Sequence, residues 1–140
     1  MSVFFTRSED GAVVLAEVAR TVPSGDPAAV LRAALTELLE GPTPEERAQG
    51  LVSQIPPGTR LLAVRIEDGV ARVDLSREVE AGGGSSSMLG RLWQIVYTAT
   101  QLPQAARVQI LIEGQRRVAM GGEGVLIADP LTRPRTPPRF

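Results

Sequence analysis

The 140-residue sequence contains no cysteine, no histidine, no lysine and no asparagine. The first two absences remove thiol nucleophiles, imidazole bases and the common zinc sites together. Without lysine there is neither Schiff-base chemistry nor a serine–lysine dyad. Without cysteine there is no disulfide scaffold. All 15 basic residues are arginine, against 16 acids, for a net charge of −1 and a sequence pI near 5.5. That balance is not the footprint of a nucleic-acid binder. No apolar run is long enough to cross a bilayer, and "MSVFF" is too short for the apolar stretch of a secretory signal. With 43% hydrophobic residues, the chain reads as one folded domain, large enough to bury about 68–70% of its unfolded surface.

Turn signals divide what is present. Asp10-Gly11 separates "SVFFT" from "AVVLAEVARTV", which predicts two strands. Asp26 followed by Pro27 opens a helix with an apolar stripe of Val30, Leu31, Ala34, Leu35 and Leu38. Gly41-Pro42 stops it, and Thr43, Pro44 and Glu46 start a short second helix with a capping box. In "RLLAVRIEDGVARVDL" two alternating runs flank Asp68-Gly69, a favoured two-residue turn. The turn sets the register: Leu62 opposite Leu75, Val64 opposite Val73, Ile66 opposite Ala71. Arg65 then stands opposite Arg72 on the other face, with Glu67 and Asp74 placed diagonally to neutralise them.

A third helix runs from about Ser86 to Gln101, with Met88, Leu89, Leu92, Trp93, Ile95, Val96 and Ala99 as its apolar set. Its polar positions, including Arg91, Gln94, Thr98 and Gln101, form one narrow stripe, so most of the circumference is buried. "ARVQILIEG" is a strand. Gly114-Gln115 turns it into "RRVAM", and "VLIADPL" holds a last short strand. The order β-β-α-α-β-β-α-β-(β-β) predicts an α+β fold, with helices packed on one face of a small mixed, mostly antiparallel sheet. Residues 1–133 form the domain, and the proline- and arginine-rich residues 134–140 form a disordered or draped tail.

The loop Gly82–Ser87, between a strand and a helix, invites a phosphate. A P-loop needs a lysine after its glycines, and this chain has none. A dinucleotide fingerprint needs a third glycine or alanine where Ser87 stands, and an acid about 20 residues on. Met88 to Ile112 holds no acid. The loop reads as a joint. The remaining candidates are bland. Glu45 and Glu46 are first-turn acids favoured by the helix dipole. Asp74 and Glu113 end strands and could approach each other for acid–base work, but two surface carboxylates without a catalytic partner are weak evidence for it. "GGEGVLIAD" lacks the spacing of a calcium loop. Arg65 with Arg72, and Arg116 with Arg117, read as solvated faces able to hold an acidic group. No catalytic, cofactor-binding or metal-ligating residue is expected.

Four stretches together resemble the GerMN domain of the sporulation and spore germination family: "ARTVPSGDPAAVLRAALTELLEGPTPEE", "IPPGTRLLAVRIEDGVARVDLS", "QIVYTATQLPQAARVQILIEG" and "GGEGVLIADPLTR". They are colinear from about Val3 to Arg133. The resemblance implies a fold related to ring-building motifs, with an α-β-β-α-β kernel, which the elements from Asp26 to Ile112 supply. It also implies an extracytoplasmic or membrane-tethered protein, although the sequence shows neither a lipobox cysteine nor an anchor. It brings no catalytic residues. The expectation is a non-enzymatic interaction module of the cell envelope, acting by protein–protein contact or self-assembly. Its contact surfaces would be the stripe Arg91, Gln94, Thr98 and Gln101 and the sheet face near Arg65 and Arg72. The alternative is a binding domain for a cell-wall or acidic ligand.

Overall fold

Three two-residue turns shape the chain in the computed structural model, which describes all residues from Met1 to Phe140. Asp10-Gly11, Asp68-Gly69 and Glu113-Gly114 all have positive φ at both positions, the geometry that matches the right-handed twist of hairpin strands. The first joins β1 (Ser2–Glu9) to β2 (Ala12–Ala19), paired antiparallel over their whole length. The second joins β3 (Leu61–Glu67) to β4 (Val70–Leu75). The third joins β5 (Arg107–Ile112) to β6 (Gln115–Arg116). That turn lies one residue earlier than expected, and the Glu113 carboxylate at the bend accepts the Arg77 N–H at 2.8 Å. Residues beyond Arg116 do not extend β6. Instead β7 (Ala119–Met120) and β8 (Val125–Leu126) form a hairpin of their own.

The helices follow their caps. In α1 (Pro27–Glu40) the Asp26 carboxylate accepts the Ala29 N–H. In α2 (Pro44–Ala48) Thr43 and Glu46 complete the reciprocal capping box. A 3-10 turn, Arg77–Glu80, leads into the glycine loop and α3 (Ser85–Ala99). That helix is the crossover which sets β5 parallel to β4, so the main sheet has the order β3-β4-β5-β6 and is mixed. The kernel α1-β3-β4-α3-β5 is therefore present.

One core of 24 residues joins these parts. Leu31, Leu35 and Leu38 of α1 and Ile95 and Val96 of α3 meet Val64, Val73, Leu75, Ile110 and Ile112 of the sheet. Val3 and Phe5 of the N-terminal hairpin are fully buried in the same cluster. The β3–β4 register holds from Val64–Val73 to Ile66–Ala71, with Arg65 opposite Arg72. It fails at one predicted pair: Leu61, not Leu62, stands opposite Leu75. A bulge between Leu61 and Ala63 inserts one extra residue, and Leu62 is left 39% exposed.

Residues 134–140 cross back to the N-terminal hairpin. The Val13 N–H donates to the Phe140 carbonyl at 2.6 Å, and the Phe140 N–H returns a bond to Val13 at 3.1 Å. Arg133 lies over the rings of Tyr97 and Phe4, at 4.8 and 5.3 Å from their centroids.

Candidate functional site

The stripe on α3 faces inward, not toward a partner. Gln94 and Thr98 are wholly buried, Arg91 nearly so, and Gln101 is half-buried. The reason is the free edge of β1. Its far side from β2 has no neighbouring strand along most of its length, and bare backbone N–H and C=O groups are costly to bury. Side chains of α3 fill the place of that strand. Gln101 Oε1 accepts the Ser2 N–H at 2.7 Å, and its Nε2 donates to the Ser2 carbonyl at 2.6 Å. Thr98 Oγ1 accepts the Phe4 N–H at 3.2 Å. The backbone of Val52 exchanges two bonds with Thr6. Gln94 fixes that segment by accepting the Gln54 N–H at 2.8 Å and donating to Ser53 Oγ at 3.1 Å. The expectation of an outward contact stripe is thus corrected: these residues are a side-chain ladder on a strand edge.

Arg91 solves a different problem. Its Nη1 donates to the carbonyls of Val79 and Ala81, and its Nη2 to the Gly82 carbonyl and Ser87 Oγ, all between 2.8 and 3.1 Å. The glycine loop is therefore wrapped around an arginine of its own helix. Its inward groups are carbonyl oxygens, which repel a phosphate and suit a cation. Burial pushes the Arg91 pKa down, partly countered by the charge of Glu123. Only its Nε lacks a partner.

Arg65 and Arg72 do stand in solvent, side by side on the outer face of β3–β4. Glu67 approaches Arg65 Nε at 3.7 Å. Asp74 does not neutralise Arg72, because its Oδ1 accepts the Gly114 N–H at 2.8 Å. Arg72 makes no ion pair. The other arginine pair is engaged: Arg117 is bidentate to Glu80 at 2.7 and 2.9 Å, and Arg116 Nε donates to the Ala128 carbonyl.

The carboxylates also have structural duties. Asp74 and Glu113 each hold a backbone amide of the β4–β5 ends. Glu46 takes a two-bond contact from Arg20 at 2.6 and 2.7 Å. That hydrogen-bonded pair, more than the capping bonds to Thr43, lowers the Glu46 pKa to about 2. No group of three acidic residues is placed to hold a metal ion.

One feature had no signal in the sequence. A cavity of about 290 Å³ opens between the end of α1 and the segment before β3, lined by Leu39, Gly41, Pro42, Arg47, Leu51 and Ile55 among others. The Gly41-Pro42 break is legible, but the return of residues 51–57 across it is not. No helix is long and apolar enough to cross a membrane.

Comparison with known proteins agrees with this geometry. The family model "Germane: Sporulation and spore germination" matches residues 2–118. No curated protein matches the chain. Among solved structures, a Clostridium perfringens protein described as a lipoprotein is similar over 95% of this chain and 86% of its own, with 23% identity and a TM-score of 0.69. The first GerMN domain of the sporulation protein GerM from Bacillus subtilis covers 95% of this chain and 98% of its own, at 20% identity and a TM-score of 0.70. The tandem GerMN domains of GerM give a TM-score of 0.70 at 19% identity, and this chain spans 45% of their length. At these identities the structural likeness speaks for the fold. With the family model matching residues 2–118, the chain belongs to the sporulation and spore germination family of GerMN domains.

Proposed function

We propose that this domain is a non-enzymatic contact module of the cell envelope, which holds a protein partner or another copy through the outer face of β3–β4. One observation carries the reading. Arg65 and Arg72 stand adjacent and exposed on the outer face of the four-stranded sheet, and Arg72 has no acidic neighbour within ion-pair distance. Like charges kept opposite each other on a rigid hairpin are unfavourable in isolation, so an acidic partner surface relieves a repulsion already built into the fold. The likeness to the Clostridium perfringens lipoprotein supports an extracytoplasmic or membrane-tethered setting.

The test is charge reversal. Arg65→Glu with Arg72→Glu is expected to weaken capture of envelope proteins about tenfold, chiefly through the association rate and most at low salt. Circular dichroism of the variant should match the parent. Equal capture by the two proteins would remove this face from the proposal. A second reading keeps the same arginines but gives them a cell-wall component. Calorimetric titration with peptidoglycan fragments separates the two: heat that disappears in the double variant supports the wall ligand, and no heat leaves the protein partner.

A further inference from the structure

We infer that residues 139–140 are a detachable strand, and that a second copy of this chain offers the same seat for them on the edge of β2. The seat is specific for a basic residue followed by an aromatic one. Phe140 exchanges two backbone bonds with Val13, and Arg139 stands opposite Val14. The Arg139 guanidinium donates to the Glu9 carbonyl at 3.1 Å and to its carboxylate at 3.4 Å. The Phe140 ring lies against α3 at Gly90, with Cε2 3.3 Å from where a β-carbon would stand. Backbone, charge and ring are each read by a different element, as in recognition by strand addition.

The tether permits exchange. Arg133 is pinned to the Tyr97 carbonyl at 2.6 Å and to Thr100 Oγ1 at 3.0 Å. Between Arg133 and Arg139 no residue from 134 to 138 makes a hydrogen bond to the body by its own N–H or side chain. Prolines at 134, 137 and 138 keep this stretch extended and unable to donate further along β2. Six residue steps reach up to about 20 Å, enough to cross to an adjoining molecule. The contacts made within one copy and between two are identical, so the balance rests on concentration alone. A short tether holds its own strand at an effective concentration on the order of millimolar. Exchange therefore takes over where copies are crowded to that level.

This inference deepens the contact-module reading and rests on it, by naming one partner as the chain itself. The absence of cysteine makes the test clean. A chain carrying Val14→Cys is mixed with a chain carrying Arg139→Cys at about 1 mM under mild oxidation. Disulfide-linked heterodimer should exceed, at least tenfold, that formed when Ser24→Cys replaces Arg139→Cys as a collision control. Adding Phe140→Ala to the Arg139→Cys chain should abolish the excess. The double variant Val14→Cys, Arg139→Cys, when dilute, should close on itself, which verifies the seat. Self-closure without a link between chains at 1 mM overturns the exchange; failure of self-closure overturns the seat. Neither result touches the Arg65 and Arg72 face, whose charge-reversal test fails or succeeds separately.

Discussion

Glu46 and Gly83 show how much single residues carry. The Arg20–Glu46 pair is mostly buried, and the folded carboxyl titrates at about 2 where the free group titrates at 4.5. A carboxylate with a depressed folded pKa adds stability above its unfolded pKa and loses it as pH falls toward the folded one. The contribution is on the order of 2 kcal/mol at neutral pH. Glu46→Gln, which keeps the capping geometry, should be less stable than the parent by about that amount at pH 7. The difference should close between pH 4.5 and about 2. Thermal unfolding across that range measures it. Gly83 has φ +77°, and a β-carbon there would stand 2.5 Å from Arg91 Nη2. Gly82 shares the positive φ but has open space around it. Gly83→Ala should therefore cost clearly more than Gly82→Ala, whose penalty is about 1 kcal/mol from backbone strain alone. Urea midpoints of the two variants decide this; equal losses would mean that Arg91 does not fill the loop.

Among elements, the contrast is between turns and edges. Asp10-Gly11 and Asp68-Gly69 were readable because the positive φ they demand is a property of two adjacent residues. The capping box at Thr43 and the stripe on α1 were readable for the same local reason. The role of the α3 stripe was not. Periodicity reports that Gln94, Thr98 and Gln101 lie in one line, but not that the edge of β1, about 100 positions away in the chain, lies along that line. The glycine loop shows the same limit: the sequence argued against a nucleotide, and only the fold reveals the arginine enclosed instead. The Leu62 bulge escaped because strict alternation presumes an unbroken ladder. The edge-ladder account predicts that Gln101→Leu, which strips both bonds from Ser2, costs about 1–3 kcal/mol. Thr98→Val, nearly isosteric, should cost less in packing yet expose the Phe4 amide to faster hydrogen exchange. Unchanged exchange at Phe4 would contradict the bond.

For the whole molecule, the three sheets and three α-helices form one cooperative body, because Val3 and Phe5 share a cluster with Leu35, Ile95, Ile110 and Met120. Removing the Phe5 ring (Phe5→Ala) should therefore lower a single unfolding transition by about 3–5 kcal/mol, not release the N-terminal hairpin alone. Two resolved transitions would argue for two units. What the hairpin register made legible at this scale is the outer side of β3–β4, where Arg65 and Arg72 stand opposite each other and exposed. What the register did not reveal is that its two arginines differ, Arg65 answered by Glu67 and Arg72 left open.

The ladder on β1 also fixes an order of events during synthesis. Ser2 and Phe4 find their partners at Gln101 and Thr98, 99 and 94 positions later in the chain, so β1 waits for α3 before its outer edge is satisfied. A lone two-stranded hairpin is marginal in water. The outer edge of β1 therefore stays open until α3 has been made, and closes against it afterwards.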